Sequence, residues 1–123
     1  LNKPGKLDVR EFETMKNHAE YSAEILKNYG IKENIWKIVK YHHENYDGTG
    51  YPEGLKGFDI PVGARILRIC DMFDALTNDR VYRRKMEEVN ALQLMLKDKS
   101  KFDLDIFYCF CSNINIISEQ KVC

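Results

Sequence analysis

The sequence predicts an all-α fold, a helical bundle of about five helices in a single domain over residues 1–123. Apolar residues recur at spacings of three and four along several stretches, which is the period of one face of an α-helix. Helix starts are also marked, by a capping-box pattern at Asp8 and Glu11 and by the pair Ile60-Pro61. A chain of 123 residues can bury one core but not two.

The composition narrows the classes of function. Nineteen basic and nineteen acidic residues cancel, so the sequence does not indicate a surface for a nucleic-acid polymer. No apolar run approaches the roughly 20 residues that span a bilayer, and no signal-peptide pattern opens the chain. The four cysteines lack CxxC spacing, which favours a reducing cytoplasm. Because the chain begins at Leu1 without Met, we expect it to be cut from a longer protein.

Two helices are predicted in the first part of the chain. The first runs from Asp8 to Gly30, and the second from about residue 32 to 44. The inward face of the first helix is predicted to contain Phe12, Met15, Ala19, Ser22, Leu26 and Tyr29. His18 projects from this face, either as a structural core histidine or as a ligand. The inward face of the second helix is predicted to contain Ile35, Ile38, Val39 and His42.

The histidine pair His42-His43 comes at the predicted end of the second helix. Adjacent helix positions differ by about 100° in direction, so the two rings are poorly placed to chelate one ion but can serve two. An alternative is that histidines favour a helix C-terminus through the helix dipole. That alternative does not account for the following loop, residues 46–59, in which glycines are concentrated. A long irregular loop between helices is more typical of a site than of a spacer.

The third predicted helix, residues 61–78, is apolar nearly all round, which indicates a buried position at the centre of the domain. It nevertheless contains Asp71 and Asp74, three residues apart on one face. A buried carboxylate needs a partner. A metal ion would supply one, and a salt bridge to Arg65 or Arg68 is the structural alternative. Two further helices, about 87–97 and 103–114, are interpreted as structural. The predicted inward face of the second of these contains Ile106, Phe107, Phe110, Cys111 and Ile114.

The chemistry of the site is suggested by four side chains on faces predicted to be buried. They are His18, His42, His43 and Asp71. Imidazole and carboxylate ligands without thiolates suit iron, manganese or zinc and leave positions open for water. A pair of such ions can activate water and clamp a phosphate. Arg80 and Arg83 lie in a short basic run that also suits phosphate.

A series of motifs stands in the order typical of HD-GYP domains. The series is His42-His43-Glu44, Asp47-Gly48-x-Gly50-Tyr51-Pro52, Gly54-Leu55, Gly57, Ile60-Pro61, Ala64-Arg65-Ile66, Asp71-x-Phe73-Asp74-Ala75-Leu76-Thr77 and Arg80-x-Tyr82-Arg83. The opening Lys3-Pro4-Gly5-Lys6-Leu7 and Phe102-Asp103 near the end are also family-like. The sequence resembles this family over most of its length.

The resemblance implies an all-helical, metal-dependent phosphodiesterase that hydrolyses cyclic di-GMP to the linear dinucleotide pGpG, to GMP, or to both. It implies two or three divalent transition-metal ions (iron, manganese or zinc) in an intact domain, with metal-activated water rather than a side chain as nucleophile. The implied metal ligands are His18, His42, His43 and Asp71. The residues that would contact the substrate are Arg80, Arg83 and Tyr51. The resemblance also implies that the enzyme works in the bacterial cytoplasm.

The resemblance also implies supporting roles. Asp74 and Glu44 would hold a ligand or an arginine in place rather than touch the metal. The loop that contains Asp47, Gly48, Gly50 and Pro52 would border the pocket or contact a partner, such as a diguanylate cyclase domain.

The sequence departs from the family pattern in two places. The His-Asp pair that names the family, the lysine after it and a further histidine lie before the start of this chain, and Val81 stands where proline is usual. We therefore expect a truncated HD-GYP-like domain over residues 1–123, with an incomplete metal centre or none. A non-catalytic module that binds cyclic di-GMP or a partner is the alternative. We also expect an exposed apolar patch, relieved by homodimerisation.

Overall fold

A computed structural model describes residues 8–78 and 87–118 of the chain. Its five α-helices are α1 Val9–Asn28, α2 Glu33–Tyr41, α3 Val62–Thr77, α4 Glu88–Lys97 and α5 Leu104–Ser118. Short 3₁₀ helices occupy Gly57–Asp59 and Lys99–Lys101. The described ranges contain no strand, and the prediction of an all-α fold is confirmed.

Helix α1 begins and ends as the sequence predicts. The Asp8 carboxylate accepts from the Glu11 amide at 2.8 Å, and the Glu11 carboxylate accepts from the Asp8 amide at 3.0 Å. At the other end Gly30 has a φ of +86°, a conformation that glycine adopts without steric cost. The Ile31 amide then donates to the Leu26 carbonyl at 3.0 Å, which closes the helix in a Schellman motif.

The buried face of α1 is narrower than predicted. Ala19 and Ala23 are its buried residues, and the helix packs mainly on α2. His18, Ser22 and Tyr29 are exposed, so the prediction that His18 projects from a buried face is wrong. The physical reason is that a single neighbouring helix covers only a narrow strip of α1, centred on its two alanines.

Helix α2 ends earlier than predicted, at Tyr41 rather than near Glu44. His42 is the C-cap residue, and the Glu44 amide donates to the Tyr41 carbonyl at 3.0 Å in a turn. Beyond this turn Glu44 is buried, with 1% of its surface exposed. The early end follows from this burial, because the Glu44 side chain is committed to the loop rather than to a further helical turn.

Helix α3 begins after Pro61, which is its N-cap residue, and ends at Thr77. Its buried residues are Ala64, Ile69 and Leu76. Val62 and Ile66, by contrast, are 56% and 45% exposed, so the prediction of burial all round is wrong. Among the described residues no element covers the side of α3 that contains these two.

The main core lies between α3, α4 and α5. Its buried members are Ile69, Leu76, Ala91, Leu92, Met95, Phe102, Phe107 and Cys111. Ile106, Phe110 and Ile114 are partly buried against this cluster, which confirms the predicted inward face of α5. Helix α3 also contacts α2, so it joins the core to the α1–α2 pair.

Large apolar side chains remain exposed outside this core, and the expected apolar patch stays a prediction. The exposed large apolar residues of α1 are Val9, Phe12, Tyr21 and Ile25, and Phe58 lies exposed before α3. No helix within the described ranges is long and apolar enough to cross a membrane.

Candidate functional site

The site is organised around His42 at the end of α2 and Asp71 in the middle of α3. The Nε2 atom of His42 lies 3.4 Å from Oδ2 of Asp71. The other ring nitrogen, Nδ1, is 2.7 Å from the Val39 carbonyl oxygen. Because a carbonyl can only accept, Nδ1 is the donor there. The opposite ring nitrogen, Nε2, therefore faces the Asp71 carboxylate, and the two groups could share a cation.

His43 lies beside His42 but has different surroundings. The two ring centroids are 4.0 Å apart, and the His43 ring stacks on Tyr51 at 5.1 Å with an angle of 19°. Burial, then the charges of His42 and Arg68, lower the pKa of His43 to about 3. The ring is therefore neutral at physiological pH, which is the form that binds a metal. A neutral ring can also stack on an aromatic side chain in a partly apolar environment. The role of His43 as a metal ligand therefore stays a prediction.

Tyr51, predicted to contact substrate, lies between two aromatic rings. It stacks on His43 on one side and meets Phe12 of α1 edge to face at 5.2 Å. Burial raises the pKa of its hydroxyl, so the phenol is neutral and can donate a hydrogen bond. The loop, the end of α2 and the start of α1 thus meet at one point.

The other predicted ligands and supporting residues are more dispersed. His18 is exposed on α1. Asp74 is exposed on α3, where its carboxylate accepts from the Asn78 side-chain amide at 2.5 Å. The Asp71 side chain is itself 46% exposed, so the premise of two buried carboxylates is wrong. Neighbouring elements cover less of α3 than expected, so the carboxylates of Asp71 and Asp74 both remain at least partly exposed.

The alternative in which Arg65 or Arg68 forms a salt bridge with these two carboxylates is also wrong. Arg65 pairs with Asp103 at 2.6 Å, and Arg68 donates through Nε to the Asn45 side-chain oxygen at 2.8 Å. Both arginines pair with residues outside α3, and helical spacing alone does not reveal those partners.

Glu44 holds the loop after α2. Its carboxylate accepts from the backbone amides of Glu53, Gly54 and Leu55 at 2.7, 3.1 and 2.9 Å. Burial raises the pKa of this carboxyl, while the three amides oppose that shift. The sequence suggested that Glu44 supports a metal ligand, and in the structure it organises the loop that brings Tyr51 to the histidines.

Gly50 is required by a close backbone approach within this loop. A Cβ on Gly50 would lie 2.5 Å from the Asn45 nitrogen and 2.6 Å from the Glu44 Cα. Gly48 has a φ of +86°, and the Tyr51-Pro52 peptide bond is cis with Pro52 buried. These residues were predicted to border a pocket or bind a partner, and their observed contacts shape the loop itself.

Asp47 ties the same loop to the segment before α5. Its carboxylate accepts from the Thr49 hydroxyl at 2.6 Å and from the Ser100 hydroxyl at 3.1 Å. Burial opposes ionisation, but the hydrogen bonds from Thr49 and Ser100 lower the pKa of Asp47. Its predicted contact with a partner stays a prediction.

Arg80 and Arg83, which we expect to hold phosphate, lie outside the described residues. Sequence reasoning did not single out Asn45 and did not predict its hydrogen bond with Arg68. Arg68 stands three residues before Asp71, on the same face of α3, and that spacing was the available signal.

The donor set fits a metal ion in part. His42 has one ring nitrogen oriented by a carbonyl and the other facing a carboxylate, which is the arrangement of an oriented metal ligand. Within residues 8–78 and 87–118, however, no group of three His, Cys, Asp or Glu side chains is placed to hold one ion. Catalytic metal sites ordinarily have at least about three protein ligands. His42 and Asp71 could thus supply two ligands, and a metal site would need further ones.

Comparison with known proteins identifies the family. The family described as "HD domain" matches residues 1–106. A 3'3'-cGAMP-specific phosphodiesterase of Vibrio cholerae is 35% identical over 98% of this chain and 26% of its own length. A cyclic di-GMP phosphodiesterase of Pseudomonas aeruginosa is 35% identical over 94% of this chain and 28% of its length. A cyclic di-GMP phosphodiesterase response regulator of Xanthomonas campestris is 45% identical over 82% and 27%.

The chain spans between 26% and 28% of the length of these three curated relatives. The match confirms the resemblance that the ordered motifs indicated, from the histidine pair through the third helix. The chain belongs to the HD domain family.

Proposed function

We propose that this chain forms part of a metal-dependent phosphodiesterase that hydrolyses cyclic di-GMP to pGpG, to GMP, or to both. The observation that carries the proposal is the pair His42–Asp71, with Nε2 3.4 Å from Oδ2 and the opposite ring nitrogen held by a carbonyl. Relatives over most of the chain are named cyclic di-GMP or 3'3'-cGAMP phosphodiesterases, which supports this substrate class. All three relatives described above are bacterial, and the proposal places the enzyme in a bacterial cytoplasm.

The chemistry assigns separate tasks to the residues. A bound divalent ion would lower the pKa of water and neutralise charge on the phosphate, which is the general contribution of metals to such hydrolysis. His42 and Asp71 would hold that ion, and the Val39 carbonyl keeps the His42 ring in the required tautomer. Tyr51 would close the side of the site next to His43. The phosphate would also meet Arg80 and Arg83.

Metal identity and number belong to this proposal. We infer two or three ions of iron, manganese or zinc in the complete enzyme, since nitrogen and carboxylate ligands suit all three metals. His43 and His18 would contribute to the additional positions. Because His18 is exposed on α1, its contribution requires that further ligands approach that side.

A second candidate is a non-catalytic module that binds cyclic di-GMP or a protein such as a diguanylate cyclase domain. The observation that favours it is the absence of a third clustered ligand in the described ranges. The exposed apolar residues of α1 would also be covered if two copies associate as a homodimer.

Metal analysis distinguishes these candidates. The purified chain is analysed for bound metal by mass spectrometry and tested for hydrolysis of cyclic di-GMP and 3'3'-cGAMP with iron, manganese or zinc. We expect His42→Ala and Asp71→Asn each to lower bound metal and kcat/KM at least about 100-fold, because loss of a ligand should exceed the roughly 10- to 100-fold lost with a residue that only orients one. Asp105→Asn, an exposed carboxylate at the start of α5, is the matched control and should change neither.

Each outcome selects one candidate. Metal content that is unchanged in both variants would refute the assignment of His42 and Asp71. A metal-free chain that binds the dinucleotide in calorimetry but does not hydrolyse it would establish the binding module instead. His18→Ala provides a separate test, because an exposed histidine that is not a ligand can be removed without loss of metal.

A further inference from the structure

We propose that Arg68 of α3 binds a phosphate oxygen of the substrate beside His42 and Asp71. The inference rests on the proposed function. It adds a phosphate-binding arginine to the site, on a different element from Arg80 and Arg83. Three observations support it: the unused donors of the side chain, the support that orients it, and the charges around it.

The guanidinium of Arg68 uses only one of its donors within the protein. Its Nε donates to the Asn45 oxygen at 2.8 Å. In the described parts of the chain neither of its terminal nitrogens has an acceptor within hydrogen-bond distance, and no carboxylate lies within ion-pair distance of it. A guanidinium has five N–H donors, so up to four remain for a ligand. Arg65, one turn earlier, differs because its donors are taken by Ile60 and Asp103.

The support behind Arg68 is rigid. Asn45 is buried, and its amide nitrogen donates to the Thr49 hydroxyl at 3.1 Å. The Thr49 hydroxyl in turn donates to Asp47 at 2.6 Å. A relay of three side chains therefore fixes the Nε edge of the guanidinium, while its two terminal nitrogens have no acceptor within the described residues. An orientation fixed in advance reduces the entropy lost on binding.

Arg68 itself is the positive charge at this position, and no contact ion pair within the described residues neutralises it. Burial lowers the pKa of Arg68, while the nearby groups Tyr51, Asp71 and Asp47 oppose that shift. Burial and the charge of His42 lower the pKa of His43, and the positive charge of Arg68 lowers it further. Arg68 is thus close to the aromatic and acidic members of the site, and its charge is not cancelled by a contact ion pair. A phosphodiester has two non-bridging oxygens, which match the two terminal nitrogens of a guanidinium.

Kinetics separate a binding role from a structural one. Arg68→Met should raise KM for cyclic di-GMP by about 10- to 100-fold, which corresponds to the loss of a hydrogen bond between charged groups. We expect kcat to fall by less than about threefold if the contact is equal in the ground and transition states. Arg68→Lys should recover part of the loss, because lysine keeps the charge but not the fork. Arg10→Met, at an exposed position on α1, is the control for the removal of an arginine.

A purely structural Arg68 gives another result. If Arg68 only holds the loop through Asn45, then Arg68→Met and Asn45→Ala should lower the melting temperature alike and leave KM unchanged in the folded enzyme. That outcome would overturn the inference. Circular dichroism of each variant establishes that the kinetic comparison is made on folded protein.

A measurement without catalysis separates this inference from the proposed function. Inorganic phosphate is titrated into the ¹⁵N-arginine-labelled chain, and the side-chain Nε–H resonance of Arg68, assigned by its loss in Arg68→Lys, is followed. We expect a saturable shift for Arg68 and none for Arg10. A shift in a chain that hydrolyses no cyclic dinucleotide would support phosphate binding by Arg68 and favour the binding module over the enzyme. Active enzyme with no shift and no change of KM in Arg68→Met would refute the inference alone.

Discussion

At the scale of single residues, Glu44 and Gly50 show how a short loop is held in one shape. The carboxylate of Glu44 receives three consecutive backbone amides, so it replaces the hydrogen bonds that an irregular segment would otherwise make to water. Gly50 lets the returning chain approach the backbone of residues 43–45. Together they place Tyr51 against His43.

Substitution of Gly50 tests this close approach. Gly50→Ala should lower the free energy of unfolding by about 3 kcal/mol, the upper range for overpacking, because the Cβ meets backbone atoms that cannot rotate away. Urea denaturation measures the effect. Gly30→Asn is the control, since no atom lies within 4 Å of a Cβ there and asparagine tolerates positive φ. Equal stability of Gly50→Ala and wild type would contradict the structure of the loop.

Asp103 combines two residue-scale interactions. One carboxylate oxygen accepts from Arg65 at 2.6 Å, and the other accepts from the Asp105 amide at 3.1 Å at the start of α5. The side chains of Arg65 and Asp103 are only 14% and 7% exposed. The pair therefore links α3 to the start of α5.

Removal of Asp103 should be among the most destabilising single changes. Asp103→Ala leaves the Arg65 charge largely buried without its partner and also removes a helix cap, so we expect a loss of about 3–5 kcal/mol in unfolding free energy. Asp103→Asn keeps an oxygen for the cap and should lose less. Thermal and urea denaturation of both variants provide the measurement. If Asp103→Ala loses no more than Asp103→Asn, the cap contributes nothing and the ion pair alone accounts for the loss.

At the scale of elements, α2 is linked to the loop by a second set of side chains. Glu53 accepts from the Tyr41 hydroxyl at 2.7 Å, and the Lys40 ammonium lies 3.1 Å from the same oxygen. The Tyr41 hydrogen bond is the main reason that the pKa of Glu53 is lowered, with burial acting in the opposite direction. Glu53 thus links the loop to Lys40 and Tyr41 of α2. This link adds to the hydrogen bonds that Glu44 accepts from the loop backbone.

This link predicts a pH dependence of stability. A carboxyl whose pKa is lower in the folded state stabilises the protein above its unfolded pKa, 4.5 for Glu53, and loses that contribution as the pH falls through the folded value. Unfolding free energies between pH 7 and pH 3 should therefore decline less steeply in Glu53→Gln than in wild type. Because the Glu53 side chain is 43% exposed, we expect only a few tenths of a kcal/mol. Identical slopes would contradict the link.

At the scale of the whole molecule, burial is uneven. The cluster around Leu92 and Phe107 unites α3, α4 and α5, whereas α1 buries only two alanines. Opening of a region depends on the apolar contacts that must be lost, so the two parts should differ in local stability. The site lies at the junction, with Asp71 on the well-packed side and the histidines on the other.

Hydrogen exchange tests this division. Amides of α3, α4 and α5 near Ile69, Leu92 and Phe107 should exchange slowest. Those of α1 and α2 should exchange fastest, because α1 buries only two alanines and α2 buries no residue. Leu92→Ala should accelerate exchange throughout the core, with a loss of about 2–5 kcal/mol. Ala23→Gly should accelerate α1 alone. Uniform protection of all five helices would contradict the division.

The helices themselves were largely predictable from sequence because their signals are local. The capping box at Asp8 and Glu11 and the glycine after α1 lie within a few residues of the helix ends that they define. The inward face of α5 follows from spacing alone. For the site, the ordered motifs from His42 to Asp71 identified the family, since many residue types must agree in sequence.

Other features depended on tertiary packing, which a periodic pattern does not contain. The exposure of His18 follows from how little of α1 its neighbour covers, and the early end of α2 follows from the burial of Glu44. The partner of Arg68 is 23 residues away in the chain, and that of Arg65 is 38 residues away. The sequence by itself determined the helices, their caps and the family, because these depend on residues close together. Only the tertiary structure decided which charged groups meet, because that depends on how helices distant in the chain pack.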